Sequence, residues 1–223
     1  MNELEAIKNR HSVRNYIDKP ISDEHIKLLQ DKINEINIKS NLNIQLKINE
    51  PKAFESKLFH YGMFKNVKNY FVLIGKDDEY IDEKCGYYGE ELVLYSQMIG
   101  LNTCWVALTY DKRKLNVDLK DDEKVCIVIA LGYGVTQGKP HKSKTYEQVC
   151  KVKDAPSWFI QGVESALLAP SAVNQQNFII SLENDKVQIK PKNKFYSKVD
   201  IGIIKYHFEV GANKRIFNNM TCK

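Results

Sequence analysis

The 223-residue sequence predicts an α+β sandwich, a sheet set between helices, and three observations carry that prediction. Short apolar runs of strand length alternate with longer stretches whose apolar residues recur at helical spacing. The order helix, strand, strand, long helix occurs over 23–100 and again over 157–213. Pro and Gly punctuate the joins between these stretches. Together they predict tandem half-repeats, 1–150 and 151–223, closing on each other as a pseudo-dimer within one chain.

Leu4 to Asn9 reads as a short first helix, followed by the polar segment Arg10-His11-Ser12-Val13-Arg14-Asn15-Tyr16. Pro20 breaks the chain, and Ser22 is a good N-cap for a helix from Asp23 to about Glu35. Ile26, Leu29, Ile33 and Ile36 give that helix one apolar face. From Asn43 to Asn49, Ile44, Leu46 and Ile48 alternate with polar residues, the mark of a half-buried strand. The unbroken apolar run from Tyr70 to Ile74 reads as a central strand. A long helix follows from near Glu83 to Ile99, with Gly100 as its C-cap. Thr103 to Leu108 and Val125 to Leu131 read as further strands, and Thr136 to Tyr146 as a polar, basic loop. The second half gives a helix from Pro156 to about Leu168, strands Phe178–Leu182 and Val187–Lys190, and a helix Gly202–Asn213.

Composition narrows the function. Hydrophobic content of 43% and charged content of 27% are those of an ordinary globular chain. The net charge of +5 is scattered, which mildly favours anionic small molecules and gives no basic, aromatic stripe for nucleic acid. The N-terminal residues lack the apolar core of a signal peptide. No apolar run approaches the roughly 18 to 20 residues of a membrane span. Cys85, Cys104, Cys126, Cys150 and Cys222 are odd in number and widely spaced, without a CxxC pair. They predict free thiols in a reducing cytoplasm, and neither a disulfide framework nor a metal site.

Three clusters could hold a ligand. Arg10, His11, Ser12 and Arg14 suit a phosphate, since guanidinium groups give paired, charge-assisted hydrogen bonds. Lys142 and Lys144 could complete the same anion pocket. Taken alone, each of these is also a solvated basic stretch. Pro170-Ser171-Ala172-Val173-Asn174-Gln175-Gln176 offers small residues that let backbone approach a planar ring, and amides that meet donors and acceptors on a heterocycle. It also reads as a ligand-free helix-to-strand turn. Gly86-Tyr87-Tyr88-Gly89-Glu90-Glu91 lies near the start of the long helix, where unpaired N–H groups could donate to a ligand, or where a glycine simply packs.

In this order the clusters resemble the nitroreductase-like flavoproteins, which bind FMN. The resemblance covers nearly the whole chain and implies a nitroreductase-like α/β sandwich. It implies that Arg10, His11, Ser12 and Arg14 grip the FMN phosphate, with Lys142 and Lys144 beside them. Pro170, Ser171, Ala172, Asn174 and Gln176 would lie along the flavin ring, backbone near Tyr88 and Gly89 would face its N5, and Lys65 would touch the flavin. Ordinary members carry the Pro-Ser-x-x-Asn segment soon after the Arg-Ser-Arg segment and share each site between two subunits. Here that segment comes only after residue 168, and the second half has no Arg-Ser-Arg equivalent. Val199-Asp200-Ile201-Gly202-Ile203, with His207 and Glu209, resembles a small subgroup with this rearranged layout. A monomer with one composite site per chain is expected.

The implied activity is hydride transfer from NADH or NADPH through FMN to a small-molecule electron acceptor such as a nitroaromatic or a quinone. The flavin carries the chemistry, so no acid–base residue is nominated. Tyr88, Phe64 and Tyr61 are candidates for stacking or gating over the ring, although such residues are more often ordinary packing; His207 reads as a structural histidine. The rival functions are an FMN carrier or sensor without turnover, and an interaction module that keeps the fold alone.

Overall fold

The computed structural model describes residues 1–55, 64–192 and 197–217; Tyr61 and Cys222 lie outside them. The chain runs α1 (Glu3–Asn9), α2 (Asp23–Ser40), β1 (Gln45–Lys47), β2 (Asn69–Lys76), α3 (Ile81–Met98), β3 (Asn102–Val106), β4 (Glu123–Gly132), α4 (Tyr146–Val149), α5 (Ser157–Ala166), β5 (Phe178–Glu183), β6 (Lys186–Pro191) and α6 (Ser197–Ala212).

Local chemistry sets these boundaries. Asn2 and Glu5 close a reciprocal capping box on α1. Ser22 caps α2 by accepting from the His25 N–H. That helix runs five residues past the expected Glu35, because Asn41 adopts a left-handed conformation (φ 56°) and ends it there. The β5–β6 hairpin turns on Asn184 and Asp185, both left-handed (φ 50° and 60°), as a two-residue turn with the twist of its strands requires.

A single sheet is expected from sequence, whereas the described residues form two. Four antiparallel strands assemble in the order β1-β2-β4-β3, and β5 pairs only with β6. The chain before α5 joins the hairpin through one bridge, Cys150 to Ile180. In the larger sheet, side chains alternate between two buried faces, so the central runs are apolar throughout. Phe71, Leu73, Ile127, Ile129 and Leu131 meet α1, α2 and α3. Tyr70, Val72, Ile74, Val128 and Ala130 face the other way, toward Tyr16, Phe54, Phe64 and Tyr110. A third core joins α5, α6 and the hairpin through Phe159, Phe178, Ile180, Ile204 and Phe208, and takes in Val149 and Cys150.

The two halves meet where α3 crosses α6, and glycines set the closeness of that crossing. A Cβ on Gly86 would overlap the carbonyl of Val199, and one on Gly202 would overlap the carbonyl of Glu83. The contacts are reciprocal: each helix places a glycine against the residue that stands one turn before the other's glycine. Two backbones therefore touch without intervening side chains.

Candidate functional site

After α1, the segment 10–16 is extended and adds itself beside β3. Ser12 bridges Thr103 in parallel, and the Val13 N–H donates to the Thr103 carbonyl at 3.0 Å. Asn15 bridges Lys65, with the Lys65 N–H donating to the Arg14 carbonyl at 2.9 Å. Extended backbone points alternate side chains to opposite sides. Val13 is accordingly buried, while Ser12 and Arg14 line a common cleft.

Arg10 takes a different course from the one its motif suggests. It is only 3% exposed, with Nε 3.8 Å from Glu90 Oε1 and no hydrogen-bond partner on that nitrogen. Glu90, fully buried in α3, also accepts from Trp105 Nε1 at 2.9 Å and meets His207 Nε2 at 2.8 Å. The other ring nitrogen of His207 lies 3.1 Å from the Ser165 carbonyl, which can only accept. His207 is thus fully partnered in the interior. His11 stays half-buried beside Gly138 and His141; burial and then the Arg10 charge push its pKa below the usual histidine range.

The basic loop and the Pro170 turn, 30 residues apart in sequence, are tied together by hydrogen bonds. Gln176 is buried: its Oε1 accepts from the Lys144 N–H at 2.8 Å, and its Nε2 donates to the Lys142 carbonyl at 2.7 Å and to Asn174 Oδ1 at 2.9 Å. Both amide hydrogens are therefore used. Lys144 Nζ donates to the Gln175 and Gln176 carbonyls at 2.8 Å each, and burial followed by Lys192 pushes its pKa down. Asn174 Nδ2 donates to the Lys142 carbonyl at 3.0 Å. These bonds hold the loop: the Gln176 amide hydrogens are not free for a ring, while the Lys144 ammonium has a third N–H beyond the two it gives to the turn. Asn174 keeps one free amide hydrogen, and Lys142 and Lys65 keep exposed side chains.

The turn is strained. Val173, Asn174 and Gln176 all have positive φ (43°, 55° and 45°), and Val173 is 87% exposed. A β-branched residue in the left-handed region costs on the order of 1–3 kcal/mol, and such strain gathers at functional sites.

Between this turn and the 10–16 segment opens a cleft of about 590 Å³, counting the part open to solvent. Ser12 and Arg14 stand on one side, Pro170, Ser171, Ala172 and Val173 on another. Cys104, Trp105 and Ala107 come from β3 and its end, Ile127 from β4, and Val199, Asp200 and Ile203 from α6. Burial pushes the Cys104 thiol up. Both Asp200 carboxylate oxygens accept the Ala172 N–H at 3.1 Å. Burial raises the Asp200 carboxyl to about 7, with the Ala172 hydrogen bond acting against that rise.

Several residues fall elsewhere than the sequence suggests. The long helix starts at Ile81, so Tyr88 and Gly89 lie in its interior, where N–H groups are taken by the helix itself. Tyr88 packs in the core, and the Trp105 indole covers Gly89. Neither can offer a free donor to a ring, and that placement is withdrawn. Phe64 packs on Phe54 at 5.8 Å. Asp200 belongs to the segment 199–203 that the sequence sets apart, yet it is not among the expected ligand contacts, and Trp105, Cys104 and Ala107 carry no motif. Among the described residues, no group of three His, Cys, Asp or Glu side chains could hold a metal, and no helix is long and apolar enough to cross a membrane.

Comparison with known proteins follows this architecture. The crystal structure of a putative nitroreductase from Thermotoga maritima is similar at 25% identity, covering 95% of this chain and 83% of that one, with a TM-score of 0.68. An FMN-dependent nitroreductase from Clostridium difficile shares the fold at 17% identity, covering 65% of this chain and 95% of its own, with a TM-score of 0.51. A protein from Parabacteroides distasonis, described as a putative NADH dehydrogenase/NAD(P)H nitroreductase, shares it at 22% identity, covering 67% and 97%, with a TM-score of 0.52. No curated protein matches the sequence. The profile of the family described as "Putative TM nitroreductase" matches residues 2–212, and the chain belongs to that family.

Proposed function

We propose that the chain is an FMN-dependent oxidoreductase that takes hydride from NADH or NADPH and passes it to a small acceptor such as a quinone or nitroaromatic. One observation carries this reading: a single cleft joins Ser12 and Arg14 to Pro170, Ser171 and Ala172, segments more than 150 residues apart in sequence. Flavin, when bound, supplies the two-electron chemistry, and the protein supplies binding and orientation.

The residues present fit such a group. Arg14 is the exposed guanidinium for a phosphate, with Ser12 as a hydroxyl partner, and the exposed Lys65 and Lys142 are the further cations assigned to the ligand. Arg10 acts indirectly, through Glu90 and Trp105. Ile127, Val199 and Ile203 give the cleft an apolar wall against which a planar ring can lie, and the small Pro170–Ala172 backbone lets it approach closely. The reciprocal glycines of α3 and α6 support the pseudo-dimer reading, in which halves 1–150 and 151–223 share one site in a monomer.

Visible absorption after incubation with FMN and desalting tests this reading. Arg14→Ala is expected to weaken FMN binding about tenfold or more, as loss of a charge-assisted contact should. Unchanged binding in that variant would remove the phosphate assignment. A bound flavin that NADH and NADPH reduce no faster than free FMN would favour the carrier function instead.

A further inference from the structure

We propose that Asp200 is the acid of the cleft, delivering to a quinone acceptor the proton that its reduction requires beyond the hydride. This inference rests on the flavin oxidoreductase reading and extends it, since that reading assigns no acid–base residue. Reducing a quinone takes two electrons and two protons. Hydride brings both electrons and one proton, so the second proton must come from an acid. In the step assigned to Asp200, its Oδ–H bond breaks and an O–H bond forms on the quinone oxygen. The residual carboxylate regains its proton from solvent at the open mouth of the cleft. The electrons come from NADH or NADPH by way of the flavin.

Elimination among the described residues leads to Asp200. Five side chains on the cleft carry exchangeable protons on oxygen, sulfur or a cation: Ser12, Ser171, Arg14, Cys104 and Asp200. The hydroxyls and the guanidinium hold their protons too tightly near neutral pH. Burial pushes the Cys104 thiol up, and its Sγ donates to the Trp105 carbonyl. Asp200 alone is held near neutrality, where an acid both carries its proton and can release it.

The surroundings of Asp200 suit that role. The turn facing it presents only the Ala172 N–H. Arg14 and Cys104 are the titratable groups facing it across the cleft. On the packed end of α3, Glu83 is paired with Lys205. On α6 itself, Lys198 Nζ is turned away to the Glu79 carbonyl at 3.0 Å. No described cation is bonded to the Asp200 carboxyl; the Ala172 N–H is the one described group bonded to its ionised form, and burial outweighs it. Structural burial alone would be expected to come with a cationic partner.

Asp200→Asn separates chemistry from architecture, because the amide oxygen can still accept from Ala172 while the side chain cannot release a proton. Stopped-flow measurements on FMN-loaded protein would follow reduction by NADPH and reoxidation by the quinone menadione separately. FMN affinity and the NADPH step are expected to stay within about twofold of wild type. The menadione step at about pH 6 is expected to slow about tenfold to a hundredfold, within the usual reach of a general acid. Wild type should lose rate as pH rises through about 7, and Asp200→Asn should not. Infrared difference spectra of the flavin-free protein should show a protonated carboxyl band that titrates over the same range and is missing in the variant.

A menadione step in Asp200→Asn equal to wild type in rate and pH profile would overturn the proposal and leave the flavin function standing. So would slowing seen only in Asp200→Ala, which would make the residue a support for the turn. Wild-type protein that takes up no FMN would overturn the flavin reading and this proposal with it.

Discussion

Glu90 and Asp200 are both carboxylic acids withdrawn from water, one in the seam between α3 and α6 and the other on the wall of the cleft, and they are kept in different ways. Glu90 is surrounded: Trp105 donates to one oxygen, while His207 and Arg10 meet the other. Asp200 has one backbone N–H between its two oxygens. A buried charge with several partners holds helices in place. One with a single partner keeps its proton available and leaves the protein an unspent reactive group. The same contrast runs through the backbone, since the seam is sealed by reciprocal glycines whereas the cleft rim carries left-handed Val173.

The largest effect should come from the seam. Gly202→Leu or Gly86→Leu would drive a side chain into facing backbone and is expected to cost about 3 kcal/mol or more, read by urea denaturation. A Gly202 variant as stable as wild type would mean the helices do not touch as described. Next, His207→Leu leaves Glu90 buried without its closest partner and should cost about 3 kcal/mol. Asp200→Asn, by contrast, should change stability at neutral pH by less than about 1 kcal/mol. If the two losses were equal, the distinction between the acids would disappear.

A further effect concerns pH. The folded-state pKa of Asp200, about 7, lies above the ordinary carboxylate value, so folding takes up a proton between the two. Its contribution to stability is complete below the unfolded value and is lost as pH rises through about 7. The stability of wild type relative to Asp200→Asn should therefore fall across that window in paired denaturation curves, and a constant difference would contradict the burial of this carboxyl. Smallest of all, Val173→Gly should relieve the left-handed strain, offset by the flexibility of glycine. The net gain is about 1 kcal/mol or less. A clear loss would show that Val173 packs as part of the fold.

Features that depend on local pattern could be read directly. The strand at 70–74, the strand at 125–131 and the Ser22 cap follow from periodicity and capping chemistry, and the cleft does unite Ser12 and Arg14 with Pro170, Ser171 and Ala172. Features that depend on what packs against a residue could not. Arg10 and Arg14 look equivalent in sequence, yet extended backbone sends one to the cleft while the other ends a helix facing Glu90. Gln176 and Lys144 have the chemistry of ligand contacts, but their groups are used in joining two loops. Tyr88 and Gly89 lie more than a turn inside the helix that begins at Ile81, where the backbone N–H groups are already taken. Asp200 stands in a segment the sequence sets apart, but nothing in that segment shows that tertiary packing removes its water. The split into two sheets was equally hidden, because strand pairing is not written in the strands themselves.

The most direct test of a composite, single-chain flavin site is the FMN content of the desalted protein, measured by visible absorption alongside its solution mass. One FMN per monomeric chain, lost or sharply weakened in Arg14→Ala, is the predicted result. Two flavins per chain, or none at saturating FMN, would contradict it.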